Sequence, residues 1–506
     1  MSNMINGLPT LPNGWLWTTL SEIAEINPGI GVETIPDNLE ITFLPMQYVG
    51  ALTGHIDPSL IKNYQEVKKG YTPFVEGDVL FAKITPCMEN GKIAIAKGLK
   101  NRIGFGSTEF HVIRLYEDIT KQLAYFFLIQ ENVRKEARSK MTGTAGQLRV
   151  PAEFMKQILF PLPPQREQQR IVTKIEELFT RLDAGVEALK KIKAQLKRYR
   201  QAVLKYAFEG KLTEKWRETH RNELEPASVL LERIKAERKK QLGNKYKEPD
   251  PVDTSDLPEL PDGWAWVRLV EVSELKNGIN FTSNQKGEKG IPTIDVLNMY
   301  SKGINVDTTD LYKVNIDLAE DYLLRYGDIL FVRSSVKREG VGWASMFNPT
   351  SESVTFCGFI IRARLNSQTI LPEFLTYFMR TNTTREKIIG SSSQVTITNI
   401  NQTSLGNIAF PLTSIAEQQR IVNELEHYFS VADEVEQIVD QSLKRAQRLR
   451  QSILKQAFEG KLVPQDPNDE PAEKLLERIK TEKARLEEEK KAKKVTSRKG
   501  KKKGAK

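Results

Sequence analysis

Five short motifs occur twice in this chain, in the same order and at a nearly constant distance. LPNGWLWTTL at 11–20 returns as LPDGWAWVRL at 260–269, GDVLF at 77–81 as GDILF at 327–331, and EQQRIV at 167–172 unchanged at 417–422. AFEGKL at 207–212 returns at 457–462, and LLERIK at 230–235 returns at 475–480. The offsets are 249, 250, 250, 250 and 245 residues. Five collinear matches do not arise by chance, so the 506 residues are a tandem duplication. Whatever one half folds into, the other must fold into as well.

Each half divides again by composition. Its first part, roughly 12–160 and 261–410, is rich in Gly, Pro, Thr and aromatics, with short apolar runs between turn signals. VLFAKI (79–84), KIAIA (92–96) and FHVIRL (110–115) read as strands, as do ILFVRS (329–334) and GFIIRARL (358–365). One helical segment follows in each, LAYFFLIQENVRKEARSK and LPEFLTYFMRTNTTREKII. The two parts diverge freely between landmarks, above all at 27–70 against 277–320.

The second part of each half is helical. Apolar residues from 171 to 203 and from 421 to 453 recur with a mean spacing of 3.6, a one-sided stripe sustained for about nine turns. Pro163 and Pro164 suit a helix start, Ser414 with Glu417 fits a capping box, and Gly210 and Gly460 are natural stops. A helix of about 40 residues runs roughly 60 Å. Its stripe is too long to bury on one small domain, so the two copies are expected to pair antiparallel. A second, heavily charged helical piece follows each, at about 226–242 and 471–489.

The formal charge of +10 lies at one end. Residues 490–506 hold ten Lys or Arg and no acid, which leaves 65 charges of each sign elsewhere. A histone-like binder is therefore excluded, and any nucleic-acid site in the body must be a local patch. The basic tail is expected to lack regular structure. Cys87 and Cys357 form no framework and read as small hydrophobes of a reducing compartment. With no apolar run of about 18 residues and no signal-peptide pattern, a cytoplasmic protein without membrane contact is expected.

Catalytic chemistry is hard to find. His55, His111, His220 and His427 have no metal spacing and are not duplicated. Gly91-Lys92 and Gly210-Lys211 lack the rest of a phosphate-binding loop. Asn27-Pro28-Gly29 does not supply the Asn/Asp-Pro-Pro-aromatic loop with which amino-methyltransferases hold a target amine. Pro261-Asp262 with Glu274-Leu275-Lys276 fits a metal-dependent nuclease pattern, but the first half has Asn13, Glu25 and Asn27 at those places. A turn followed by an amphipathic helix is the simpler reading.

Two variable α/β domains, each opening with LPxGW and followed by a PL…EQQRIV helix ending in AFEGKL, resemble the specificity subunit of type I restriction–modification systems. The resemblance runs from about Leu11 to Lys480. It implies an α+β fold: a duplicated target recognition domain, each followed by a long helix, the two helices forming an antiparallel coiled coil. The segments would be recognition domain 1 at 1–160, a central helical region at 161–250, recognition domain 2 at 251–410, a C-terminal helical region at 411–489 and the tail at 490–506. It implies a non-catalytic subunit that reads an asymmetric two-part site in double-stranded DNA. The partners implied are two adenine-N6 methyltransferase subunits, with S-adenosylmethionine, and motor-nuclease subunits dependent on ATP and Mg²⁺. No cofactor, metal or homo-oligomer of the chain itself is implied. Duplication with diverged binding domains suits an asymmetric site, whereas a homodimer would require a palindrome.

Base edges are read by Arg, Lys, Asn, Gln, Ser and Thr on scaffolded loops. Four loops supply them: Lys83, Thr85, Glu89 and Asn90 after GDVLF; Arg333, Ser334, Ser335, Lys337 and Arg338 after GDILF; Thr142, Thr144, Gln147 and Arg149 in the first domain; and Ser391, Ser392, Ser393, Gln394, Thr396, Thr398 and Asn399 in the second. Trp15, Trp17, Trp264 and Trp266 recur in both halves, where base specificity should differ, and so read as core. Gly77-Asp78 and Gly327-Asp328 read as tight turns. Arg170, Arg181, Arg420 and the surroundings of Phe208 and Phe458 are candidates for methyltransferase contact. A scaffold or protein-binding regulator without its own DNA specificity, and a self-sufficient nuclease using Asp262 and Glu274, remain the rival readings.

Overall fold

The computed structural model describes the chain except residues 1–3, 6–7, 31–34, 145, 395–397 and 504–506, and it leaves undescribed the side chains of 4–5, 8–9, 118–119, 245, 393–394 and 490–503. The chain forms two compact units, Met1–Leu189 with Gln441–Lys506, and Lys190–Asp440.

In the first unit an antiparallel sheet has the order Ala24–Ile26, Phe110–Leu115, Val79–Ala82, Ile93–Ile95. All four residues of Val79–Ala82 are buried, so this strand is apolar on both faces and its sequence does not alternate. A second sheet, Ile61–Asn63, Glu40–Leu44, Ile103–Gly106, Thr72–Val75, contains one parallel pair, Ile103–Gly106 on Glu40–Leu44. The expected single helical segment is two helices, Asp118–Leu128 and Glu131–Ser139. The chain breaks at Gln130, whose ψ of 140° is incompatible with a helix and turns the second helix onto a new axis.

The second unit repeats this plan. Its sheet order is Ser273–Asn277, Ile360–Leu365, Ile329–Val332, Ala344–Met346. Its second sheet again has one parallel pair, Ile291–Ile294 with Thr355–Phe356. The helical segment is again split, into Pro372–Met379 and Asn382–Gly390, with Thr381 capping the second through Thr384 N. In each unit a two-stranded clasp joins the ends of the domain: Leu16–Thr19 with Leu159–Leu162, and Ala265–Arg268 with Ala409–Leu412.

From each clasp springs a 44-residue helix, Gln165–Phe208 or Ile415–Phe458. Ser414 Oγ accepts from Glu417 N at 3.2 Å, but the reciprocal half of the expected capping box is missing. The Glu417 side chain instead bonds Trp264 Nε1 at 2.8 Å, Thr213 Oγ1 at 2.8 Å and Arg217 Nη1 at 2.7 Å. In the first unit Glu167 Oε2 likewise accepts from Trp15 Nε1 at 2.9 Å. The next residue of the motif is a staple. Gln168 accepts from Thr120 Oγ1 and donates to Pro163 O, and Gln418 bonds Leu371 N, Thr369 O and Thr413 O. EQQRIV therefore bolts each long helix to the α/β domain that precedes it.

Both long helices end at a glycine of positive φ, Gly210 at +71° and Gly460 at +65°. A further helix then docks on an LPxGW turn: Ala227 N donates to Gly263 O at 2.8 Å in the second unit, and Ala472 N donates to Gly14 O at 2.9 Å in the first. The helix Ala472–Lys503 keeps helical backbone through much of the basic end, where no regular structure was expected; lysine and arginine are good helix formers.

Candidate nucleic-acid interface

In the first unit the polar residues expected to meet DNA lie on two loops sixty residues apart that fold into one surface. Thr85 N donates to Leu148 O at 3.0 Å, Val150 N donates to Lys83 O at 2.9 Å, and Thr142 and Arg149 exchange both backbone bonds. Asn90, Thr142, Thr144 and Gln147 are exposed, and Lys83 and Thr85 are half-buried, the Thr85 hydroxyl donating to Glu89. Arg149 is not a free base reader. Its Nε and Nη2 donate to the Glu109 carboxylate at 2.9 Å, and its Nη1 donates to Gln147 O at 3.0 Å. This bidentate pair holds the Glu109 carboxyl below the usual carboxylate range and raises the Arg149 guanidinium.

Behind the loops, buried His111 donates from Nε2 to Val150 O at 2.8 Å and accepts at Nδ1 from Asn27 Nδ2 at 3.1 Å. Burial lowers its pKa, which keeps this neutral tautomer in place.

The second unit builds the same corner with more regular backbone. Ser334–Ser335 pairs with Thr398–Asn399, which pairs with Ser393–Gln394, a three-stranded ribbon. The Ser334 hydroxyl donates to Asn399 Oδ1, Ser392 Oγ donates to Ile389 O, and the Arg333 guanidinium donates to Gly358 O at 3.2 Å. Thr398 is buried, Ser391 exposed, and the expected contacts at Thr396 and the Ser393 and Gln394 side chains lie outside the described residues. Lys337 and Arg338 are exposed, and among the described residues neither has an ion-pair partner.

Two arginines, Arg385 buried and Arg380 half-buried, support this corner. Arg385 donates to Val341 O and Glu339 O, and Arg380 donates to Ala344 O and stacks 4.5 Å from the Trp343 ring centroid. Burial pulls both down to about 10, so both stay charged at neutral pH.

The GD turns carry more than the expected tight bend. Asp78 and Asp328 are almost fully buried and take a two-pronged contact from Arg114 and Arg364, at 2.8 and 2.7 Å and at 2.8 and 2.6 Å. Sequence reading missed these pairs, although both partners recur at an offset of 250. Trp15 and Trp264 are buried, and Trp17 and Trp266 half-buried. Arg170 is held by Asp469 at 2.6 Å, Arg181 by Glu177 at 2.8 Å, and Arg420 by Glu424. Phe208 is buried against Phe374 and Phe378, and Phe458 against Phe127. Glu274 lies on a strand rather than the expected helix, opposite Arg364, while Asp262 faces Arg221. Among the described residues no group of three His, Cys, Asp or Glu is placed to hold a metal, and no helix is long and apolar enough to cross a membrane. Cys357 is buried and its thiol is pushed up to about 12, as befits a small hydrophobe.

A family model described as the type I restriction modification DNA specificity domain matches twice, at residues 12–198 and 261–445. The chain belongs to the type I specificity family. Type I specificity subunits similar to it include that of the EcoAI enzyme of Escherichia coli, 32% identical over 481 residues, which are 85% of this chain and 80% of the relative. The EcoKI specificity subunit of Escherichia coli strain K12 is 26% identical over 504 residues, 94% of this chain and 96% of the relative. The fold also matches the HsdS subunit of Thermoanaerobacter tengcongensis, with TM-score 0.51 and 21% identity, over 90% of this chain and all of that one. It matches a chain from a study of complex assembly and conformational transition of the type I R-M system, with TM-score 0.62 and 22% identity, over 89% of this chain and 99% of that one. As a type I specificity subunit the chain is a non-catalytic component of a restriction–modification complex.

Proposed function

We propose that each of the two domains reads one half of an asymmetric two-part site in double-stranded DNA through the corner after its GD strand, and that the two long helices set the unread spacer between the halves. The observation that carries this reading is one frame with two different polar surfaces: equivalent backbone bonds fix the corner at Lys83 and at Arg333, while the exposed side chains differ. Lys83, Thr85, Asn90, Thr142, Thr144 and Gln147 are the proposed contacts of the first domain. Arg333, Ser334, Ser335, Lys337, Arg338, Ser392, Gln394, Thr396 and Asn399 are those of the second, with Arg149 a loop-positioning residue.

The helices are proposed to pair antiparallel along their length. Within the first unit Arg450 meets Asp183 and lies 4.2 Å over the Phe179 ring. Within the second, Lys193 meets Asp440 at 2.7 Å and Arg200 meets Asp433 at 2.6 Å. A rise along one helix is matched by an equal fall along the other, which is the register of an antiparallel pair. Two methyltransferase subunits carrying S-adenosylmethionine, and through them motor-nuclease subunits using ATP and Mg²⁺, are the proposed partners.

Native single-molecule sequencing of a methylation-free host expressing the chain with its methyltransferase tests the reading. A split adenine-methylation motif that disappears when this chain is omitted is expected. No motif, with both proteins folded and co-purifying, would favour a scaffold.

A further inference from the structure

The two recognition corners share a frame but differ in what stands on it. Phe359 O accepts from Arg333 N at 2.7 Å and Glu109 O accepts from Lys83 N at 2.9 Å, so the two residues occupy the same place in the repeat. In the first domain that place is a carboxylate locked to Arg149. In the second it is a phenyl ring 59% exposed, and Val336, three residues beyond Arg333, is 86% exposed. Single exposed apolar side chains are ordinary. These two share one corner, whose backbone is held by the ribbon and by buried Arg385, and Lys337 and Arg338 next to Val336 have no ion-pair partner among the described residues. Unpaired cations beside an apolar tip suit DNA: phosphates take the cations, and the apolar group a base displays in the major groove is the thymine 5-methyl.

We propose that Phe359 and Val336 form an apolar reader that packs on thymine 5-methyl groups in the half-site of the second domain, with Lys337 and Arg338 on the flanking phosphates. This rests on the DNA-reading function proposed above.

The test uses the complex of this chain with its methyltransferase, on duplexes carrying the sequenced motif, each thymine replaced in turn by deoxyuridine, which lacks only the methyl. Wild type is expected to lose affinity about fourfold at one or two positions of a single half-site, the worth of a buried methyl group. Phe359→Ala and Val336→Ala are expected to bind the thymine duplex more weakly by a similar factor and to show no further uridine penalty there. Both side chains are exposed, so unchanged melting and co-purification are expected. A uridine penalty that persists undiminished in both variants, or no sensitive thymine in either half-site, would overturn the proposal while leaving the split motif standing. Loss of co-purification in the variants with the uridine penalty intact would assign the corner to a protein contact instead. Absence of any split motif would overturn the function itself.

Discussion

Glu167 and Glu417 hold the same position in the repeat but are unequally satisfied. Both are 1% exposed. Among the described residues Glu417 has four partners, Trp264, Thr413, Thr213 and Arg217, whereas Glu167 accepts from Trp15 through Oε2 and its buried Oε1 has no hydrogen-bond partner. Burial accordingly raises the Glu167 pKa. A raised carboxyl pKa favours the fold at low pH and loses that contribution as pH rises through it. Glu417→Gln should lower stability by about 2 kcal/mol, because one of its two acceptor oxygens becomes an NH2 that faces donors and the ion pair with Arg217 is lost. Glu167→Gln should change it by less than about 1 kcal/mol, since a neutral amide relieves the buried charge. Denaturant melts of the two variants at pH 7 measure the difference. The motif itself was plain in the sequence, but its role was not, because Trp15 and Glu167 meet across 152 residues. Arg149 was read only as a candidate base reader for the same reason: nothing local reveals that it pairs with Glu109.

At the scale of elements, periodicity was enough. A stripe of spacing 3.6 can only be a helix, and proline and serine marked its starts to within two residues. Apolar runs located Val79–Ala82, Ile93–Ile95, Phe110–Leu115, Ile329–Val332 and Ile360–Leu365, while shorter or more polar strands such as Glu40–Leu44 and Ser273–Asn277 escaped them. The break after Leu128 and after Met379 was hidden because both flanking segments are helix formers, and tertiary packing decides where the axis turns. The glycine stops were legible, but not their contacts. A Cβ on Gly210 would collide with Pro261, and one on Gly460 with Pro12, at φ values of +71° and +65° that strain any L side chain. Gly210→Ala and Gly460→Ala should each cost about 1–2 kcal/mol. Thermal melts of the intact chain would register this as a lower Tm, and an unchanged Tm for both would contradict the assigned role.

For the whole molecule, the duplication was the informative signal, and it carried the family. The linear order of segments concealed one feature. The first unit is completed by residues 441–506, whose helix returns to the first LPxGW turn just as the helix Ala227–Leu242 meets the second. Such closure joins residues more than 450 apart, which no local pattern announces. The polar loops were legible in the sequence but their exposure and pairing were not, because both are three-dimensional: Phe359 looked like the start of a strand, and its 59% exposure shows only in the fold. Comparing the halves at offset 250 would have shown a carboxylate facing a phenyl ring, the one signal available in advance.

The central claim is that each domain reads its own half-site on a shared helical ruler. The most direct measurement replaces residues 261–410 by the corresponding segment of the EcoAI subunit and sequences the methylome of a methylation-free host carrying the chimaera and its methyltransferase. The account predicts a motif with one half changed, the other half retained and the spacer length unchanged. A motif altered in both halves, altered in spacer alone, or not altered at all would contradict it.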